Sequence, residues 1–233
     1  MRWWIAAAAL VMCVPAQAEP AASAPARAFA VAWVDRETTV RFGRLALEQK
    51  LATCIKRGMI APDVLAVERP LLDLYMDTFF EGTARVQDKV AVKAQTLLAP
   101  AELRVLAQTF STPDFRALRL QAVAGMADKI VPAIPGCGDQ GHQVTLGQLG
   151  AGVIPHMTKA QIASLSKLAL SPAGQHFKKV LPQLMATLTE AYRDEVQHAL
   201  QVTGASPEAQ HAARAVASPL VIDPPAPAPP PHP

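Results

Sequence analysis

An internal repeat constrains the fold more than any other feature of this chain. Pro100-Ala101-Glu102-Leu103-Arg104-Val105-Leu106 returns as Lys159-Ala160-Gln161-Ile162-Ala163-Ser164-Leu165, and Thr112-Pro113 returns as Ser171-Pro172, at a constant offset of 59 residues. The same shift pairs Met126 with Met185. Each unit reads as a short helix, a hydroxyl-proline step, and a longer helix. The hydroxyl can cap the longer helix while proline occupies its first position, where no amide donor is missed. Two units are too few for a solenoid, so residues of about 99–130 and 158–189 are expected to form two related helical hairpins packed in one core.

Composition agrees with that reading. Hydrophobic residues make up 51% of the chain but aromatic residues only 5%, because alanine is abundant and Val/Ile clusters are scarce. That balance favours helices over sheets, and an all-α bundle of the two hairpins plus N-terminal helices is the expected fold. Upstream, Asp35 or Thr38 can cap a helix that places Val40, Leu47, Leu51 and Ile55 near one face and turns Arg41, Arg44 and Glu48 to water, with Gly58 as the stop. Cys54 lies beside that apolar stripe. Pro62 and Pro70 then punctuate a region in which Leu71, Leu74, Tyr75, Phe79 and Phe80 form the densest aromatic run of the chain, interrupted by Gly82. A further helix is expected from Thr83 to Leu98, and Pro182 predicts a kink or break in the last long helix.

The ends and the linker have different character. Met1 to Ala18 places Arg2 before an apolar run from Trp3 to Val14 and an Ala16-Gln17-Ala18 cleavage pattern, the layout of a secretory signal too short to cross a bilayer. Leu10-Val11-Met12-Cys13 has the outline of a lipoprotein signal, but Met12 is the wrong residue before the cysteine, so ordinary cleavage after Ala18 is favoured over lipidation of Cys13. Residues 19–28 read as a disordered Ala/Pro spacer, residues 29–217 as the helical domain, and residues 218–233 as a Pro-rich tail in extended polyproline II. Between the repeats, Pro132, Pro135, Gly136, Cys137, Gly138, Asp139, Gln140, Gly141 and His142 cannot form a helix.

Export changes the cysteine arithmetic. Losing Cys13 with the leader leaves Cys54 and Cys137, an even pair in a compartment where disulfides persist, and one bridge stapling the linker onto the first long helix is expected. The formal charge of +3 falls by one with Arg2, far from the basic excess of a nucleic-acid binder.

Chemistry-bearing patterns are sparse. The Gly136–His142 loop brings together a thiol, a carboxylate and an imidazole, so a thiol enzyme or small hydrolase using Cys137 and His142 is one alternative. A disulfide is the commoner fate of an exported cysteine pair. His176, Asp194 and His198 share the last helix, but two ligands do not make a metal site; Glu190, Arg193, Asp194, Glu195 and His198 read as a solvated face. No cofactor fingerprint is present, and Gly147–Gly152 follows no strand. The cations Arg36, Arg41, Arg44, Lys50, Lys56 and Arg57 read as another solvated face, or as a contact to anionic lipid or an acidic protein partner.

Thr158-Lys159-Ala160-Gln161-Ile162, Ser171-Pro172-Ala173-Gly174 and Leu181-Pro182 together resemble an uncharacterised domain family of exported helical proteins from Gram-negative bacteria. The family pattern is a Thr-capped helix, an aromatic pair, Ser-Pro-x-Gly at what is here Ser171, Pro172 and Gly174, and an amphipathic helix containing proline. Ala169 and Leu170 stand where the aromatic pair would be, while the first unit retains Phe110. The resemblance covers about a third of the chain beyond the leader and implies a periplasmic all-helical domain without implying an activity. The expectation is a non-catalytic exported protein that binds another envelope or secreted protein in an accessory, chaperone-like or inhibitory role, with no cofactor, no nucleic-acid partner and no stable membrane span. An envelope spacer acting through the Pro-rich tail is the further alternative.

Overall fold

The structure, a computed structural model, describes residues 21–133 and 157–204, with side chains of 124–133 excepted. Within these residues the chain is all-α, without strands. The leader, the Gly136–His142 loop with Cys137, the Gly147–Gly152 segment and the Pro-rich tail lie outside the described residues.

The first helix, α1 (Ala24–Trp33), corrects the expected spacer. Its alanines lose no side-chain entropy in a helix, and Pro25 stands in the first turn, where no donor is needed. Ala26, Phe29 and Ala30 are fully buried, and the small residues let α1 lie close against its neighbours. The next helix, α2 (Arg36–Lys56), starts as its sequence predicts, with the Asp35 carboxylate accepting a 2.9 Å hydrogen bond from the Thr38 N–H. It ends at Gly58, whose φ of 69° is the left-handed conformation that glycine adopts without a Cβ clash.

Pro62 opens α3 (Pro62–Glu81), which runs unbroken through Pro70. The proline lies on the exposed side, where water can take the carbonyl its missing N–H leaves unbonded. Then come α4 (Thr83–Leu97), α5 (Pro100–Phe110), α6 (Pro113–Ala133), α7 (Lys159–Leu170) and α8 (Pro172–Thr203), with Pro132 inside the last turn of α6 rather than in a non-helical linker as expected. Pro182 likewise leaves α8 continuous, against the break it predicts, in a helix about 48 Å long at 1.5 Å per residue.

The repeat is real in three dimensions. Both short helices and both long helices start at positions 59 apart, Pro100 with Lys159 and Pro113 with Pro172. The capping chemistry repeats as well. The Glu102 carboxylate accepts from the Ala99 N–H at 2.8 Å, and Gln161 Oε1 accepts from the Thr158 N–H at 2.8 Å. Thr112 donates its hydroxyl to Thr109 O at 2.8 Å, and Ser171 donates to Leu168 O at 2.7 Å.

Two cores result. The larger unites α1, α4, α5, the start of α6 and the first two-thirds of α8, around Phe29, Val86, Val90, Leu103, Leu106 and Leu184. The smaller unites α2, α3 and the end of α8, around Leu47, Leu51, Leu72, Tyr75, Phe80 and Val196. The spine common to both is α8. Tyr75 and Phe80 are core as expected, but the principal aromatic cluster in space is Phe29, Trp33, Phe110, Phe115 and Phe177, with centroids 5.5 to 6.1 Å apart. Four helices contribute to it, so no stretch of sequence reveals it.

Candidate interaction surface

Where the two cores meet, α8 carries polar groups that tie it to the N-terminal helices. Arg85 Nη2 lies 2.5 Å from Glu195 Oε2, and its Nε donates to Oε1 at 2.9 Å. Glu195 is 5% exposed, so this residue leaves the solvated face predicted for it; burial is bearable because the forked guanidinium satisfies both oxygens. Hydrogen bonding to Glu195 raises the Arg85 pKa against the opposing effect of burial. Gly82 makes the space, since a Cβ there would overlap the Glu195 carboxylate. One residue earlier Asp194 pairs with Lys89 at 2.5 Å, and one turn back the Tyr192 and Thr39 hydroxyls share a 3.0 Å hydrogen bond. Burial pushes the Tyr192 phenol up to about 12, although the bond to Thr39 acts the other way. His176 Nδ1 pairs with Glu102 Oε1 at 2.9 Å, joining α8 to α5. Burial raises the Glu102 pKa, but the Ala99 N–H and His176 outweigh it and hold the carboxyl below its usual range. These groups bind helices to one another.

The basic residues of α2 also divide. Arg41 and Arg44 are exposed and pair with Glu37 at 3.6 Å and Asp77 at 2.8 Å. Lys50 is only 3% exposed and engaged with a partner, so it is not part of a solvated face. Cys54 is buried at 2% exposure; Cys137 and His142 are not among the described residues.

Ser171, Pro172 and Gly174 perform a structural task. A single residue separates α7 from α8, and Ser171 Oγ accepts from the Gly174 N–H at 3.0 Å while donating to Leu168 O. The turn is tight enough that a Cβ on Gly174 would overlap the Leu168 carbonyl oxygen. In the first unit Ser111 and Thr112 both separate α5 from α6, and the position equivalent to Gly174 is Phe115.

Between the two turns lies a groove of about 300 Å³ whose walls obey the repeat: Val105 faces with Ser164, Gln108 with Lys167, Thr109 with Leu168, and Thr112 with Ser171, each pair 59 residues apart. Thr109, Thr112 and Ser171 spend their hydroxyl protons on their own backbone carbonyls. The lining also holds Ser164 and Lys167 but no His, Asp or Glu. Among the described residues no cluster of three metal-ligating side chains occurs, and no helix is long and apolar enough to cross a membrane.

The least expected surface is on α3. Val64, Val67, Leu71 and Leu74 follow one another at intervals of three, four and three residues, which sets them in a row along one face. Val67 is 77% exposed, Leu74 54% and Val64 51%, and Met59 just before the helix is 58% exposed. Leu72, Tyr75, Met76 and Phe80 bury the opposite face. Sequence pattern alone could have flagged the row, because α3 has more apolar positions than one buried face can use. No protein-family model, no curated protein and no solved structure matches this chain.

Proposed function

We propose that this chain is an exported periplasmic protein, cleaved after Ala18, which acts without catalysis by binding another envelope or secreted protein through the outer face of α3. The observation that carries the reading is the row of Val64, Val67, Leu71 and Leu74, in which Leu71 is half-buried and the other three are more than half exposed. Scattered exposed apolar residues need no explanation, but a contiguous row at helix-pairing intervals is the form in which a helix presents itself to another protein. The leader pattern and the resemblance around Ser171-Pro172-Ala173-Gly174 support the compartment.

A Cys54–Cys137 bridge belongs to the same proposal. Arg119 of α6 donates to Ala32 O, and Arg116 and Arg119 both act on the Asp35 carboxylate at the start of α2. Two helices that pack on each other therefore begin side by side. Cys54 lies in the last turn of α2 and Cys137 falls four residues beyond the end of α6, and the packing of these two helices supports a bridge between them. Such a long closed loop would stabilise the fold by about 3 to 5 kcal/mol.

Two measurements test the proposal. The secreted chain should begin at Glu19 and gain two mass units on reduction, and an unprocessed or already reduced chain would contradict it. Affinity capture from the envelope and secreted fractions should return a protein that is lost with Val67→Glu; recovery unaffected by that substitution would remove α3 from the account.

A further inference from the structure

We infer that the occupant of the α3 face is a basic amphipathic helix of another protein, an inference that rests on the binding role proposed above. Val64 to Leu74 spans about 15 Å of helix, enough to seat roughly two turns of a partner by side-chain interdigitation. The charges around the row select that partner. Glu68 borders it on one side, and Asp63, Asp77 and Glu81 lie on the other; Asp77 is already paired with Arg44 of α2, which leaves the exposed Asp63 and Glu81 to set the sign of that margin. Arg69 is the one cation on α3, and its guanidinium is already committed to Glu48 and Asp73.

An apolar seam with acidic margins is complemented by an apolar seam with Lys or Arg margins. A second copy docking the same face would set carboxylate against carboxylate. An anionic bilayer would meet the same repulsion, so a lipid surface is disfavoured although the row is apolar. A protein helix with lysine or arginine at its seam edges satisfies both the spacing and the sign.

The test uses the full chain as the cell secretes it, with three synthetic peptides of about three heptads each: a Leu seam with Lys edges, the same seam with Glu edges, and a Lys-rich peptide with the seam scrambled. Binding is read by fluorescence anisotropy at two salt concentrations. The Lys-edged seam should bind at least about tenfold more tightly than either control and weaken as salt rises. Val67→Glu and Leu74→Glu should each cost at least about tenfold. Because both positions are more than half exposed, their melting temperatures should match the parent, and circular dichroism checks that they do. The combined change Asp63→Lys and Glu81→Lys should reverse the preference towards the Glu-edged peptide.

Equal affinity for Lys-edged and Glu-edged peptides, or binding that survives Val67→Glu, would overturn the inference. So would sedimentation showing that the chain pairs with itself through Val67. If envelope capture depends on Val67 but the peptides show no charge preference, the helix chemistry falls while the binding role stands. If capture is independent of Val67, both fall.

Discussion

Gly174 shows how much of a fold can hang on one hydrogen atom. Its α-carbon lies where the last carbonyls of α7 meet the first turn of α8, and any Cβ would overlap Leu168 O, a backbone atom that cannot swing aside. Gly174→Ala should therefore cost about 3 kcal/mol in urea denaturation, the upper end for one added carbon in a tight site. The equivalent Phe115 tolerates a large side chain only because its turn is one residue longer. Arg85 is the other position with a sharp expectation. Removing it leaves Glu195 buried without a counter-charge, although the half-exposed guanidinium limits the effect. Arg85→Ala should destabilise by about 2 kcal/mol, and Arg85→Lys should recover part of that, with thermal melts reading both.

At the scale of elements, α1 is the test of what holds the larger core together. Phe29 has no exposed surface and stacks on Trp33 while meeting Phe110 and Phe177 at about right angles or tilted. Phe29→Ala should cost about 3 to 5 kcal/mol, enough to lower the melting temperature visibly, whereas an alanine at exposed Val31 should be nearly neutral. The helical repeat, the Asp35 cap and the Gly58 stop were legible in the sequence because each is local: a hydroxyl, a proline or a glycine acts on its own few residues. The burial of α1 was not legible, because alanine and proline read as spacer until Phe29 finds aromatic partners contributed by α5 and α8. Glu195 escaped for a similar reason. Its charge groups it with the exposed Arg193 and Asp194 before it, and Arg85, 110 positions away, explains why it is buried. Pro70 and Pro182 mislead in the opposite sense, since a long helix packed on its neighbours absorbs the loss of one amide donor that a short isolated helix could not.

For the whole molecule, the arrangement separates structure from contact. Two hairpins of one design and a 32-residue α8 make a frame whose polar groups are mostly turned to holding helices together: caps at the turns, Arg85 with Glu195, Tyr192 with Thr39, His176 with Glu102. The turn motif at Ser171-Pro172-Ala173-Gly174 belongs to this frame, as do the Thr109, Thr112 and Ser171 hydroxyls of the groove between the turns, which serve their own backbone. Among the described residues, the frame leaves over the acidic-edged apolar row on α3, on a helix whose other face is buried in the second core. A contact surface built on a rigid element loses little entropy on binding. The most direct measurement places a photo-crosslinking residue at position 67 in living cells, beside a control at the exposed position 104 of α5. Position 67 should give a discrete protein adduct and position 104 none; adducts of equal yield at both, or none at 67, would mean that the α3 face does not bind a protein.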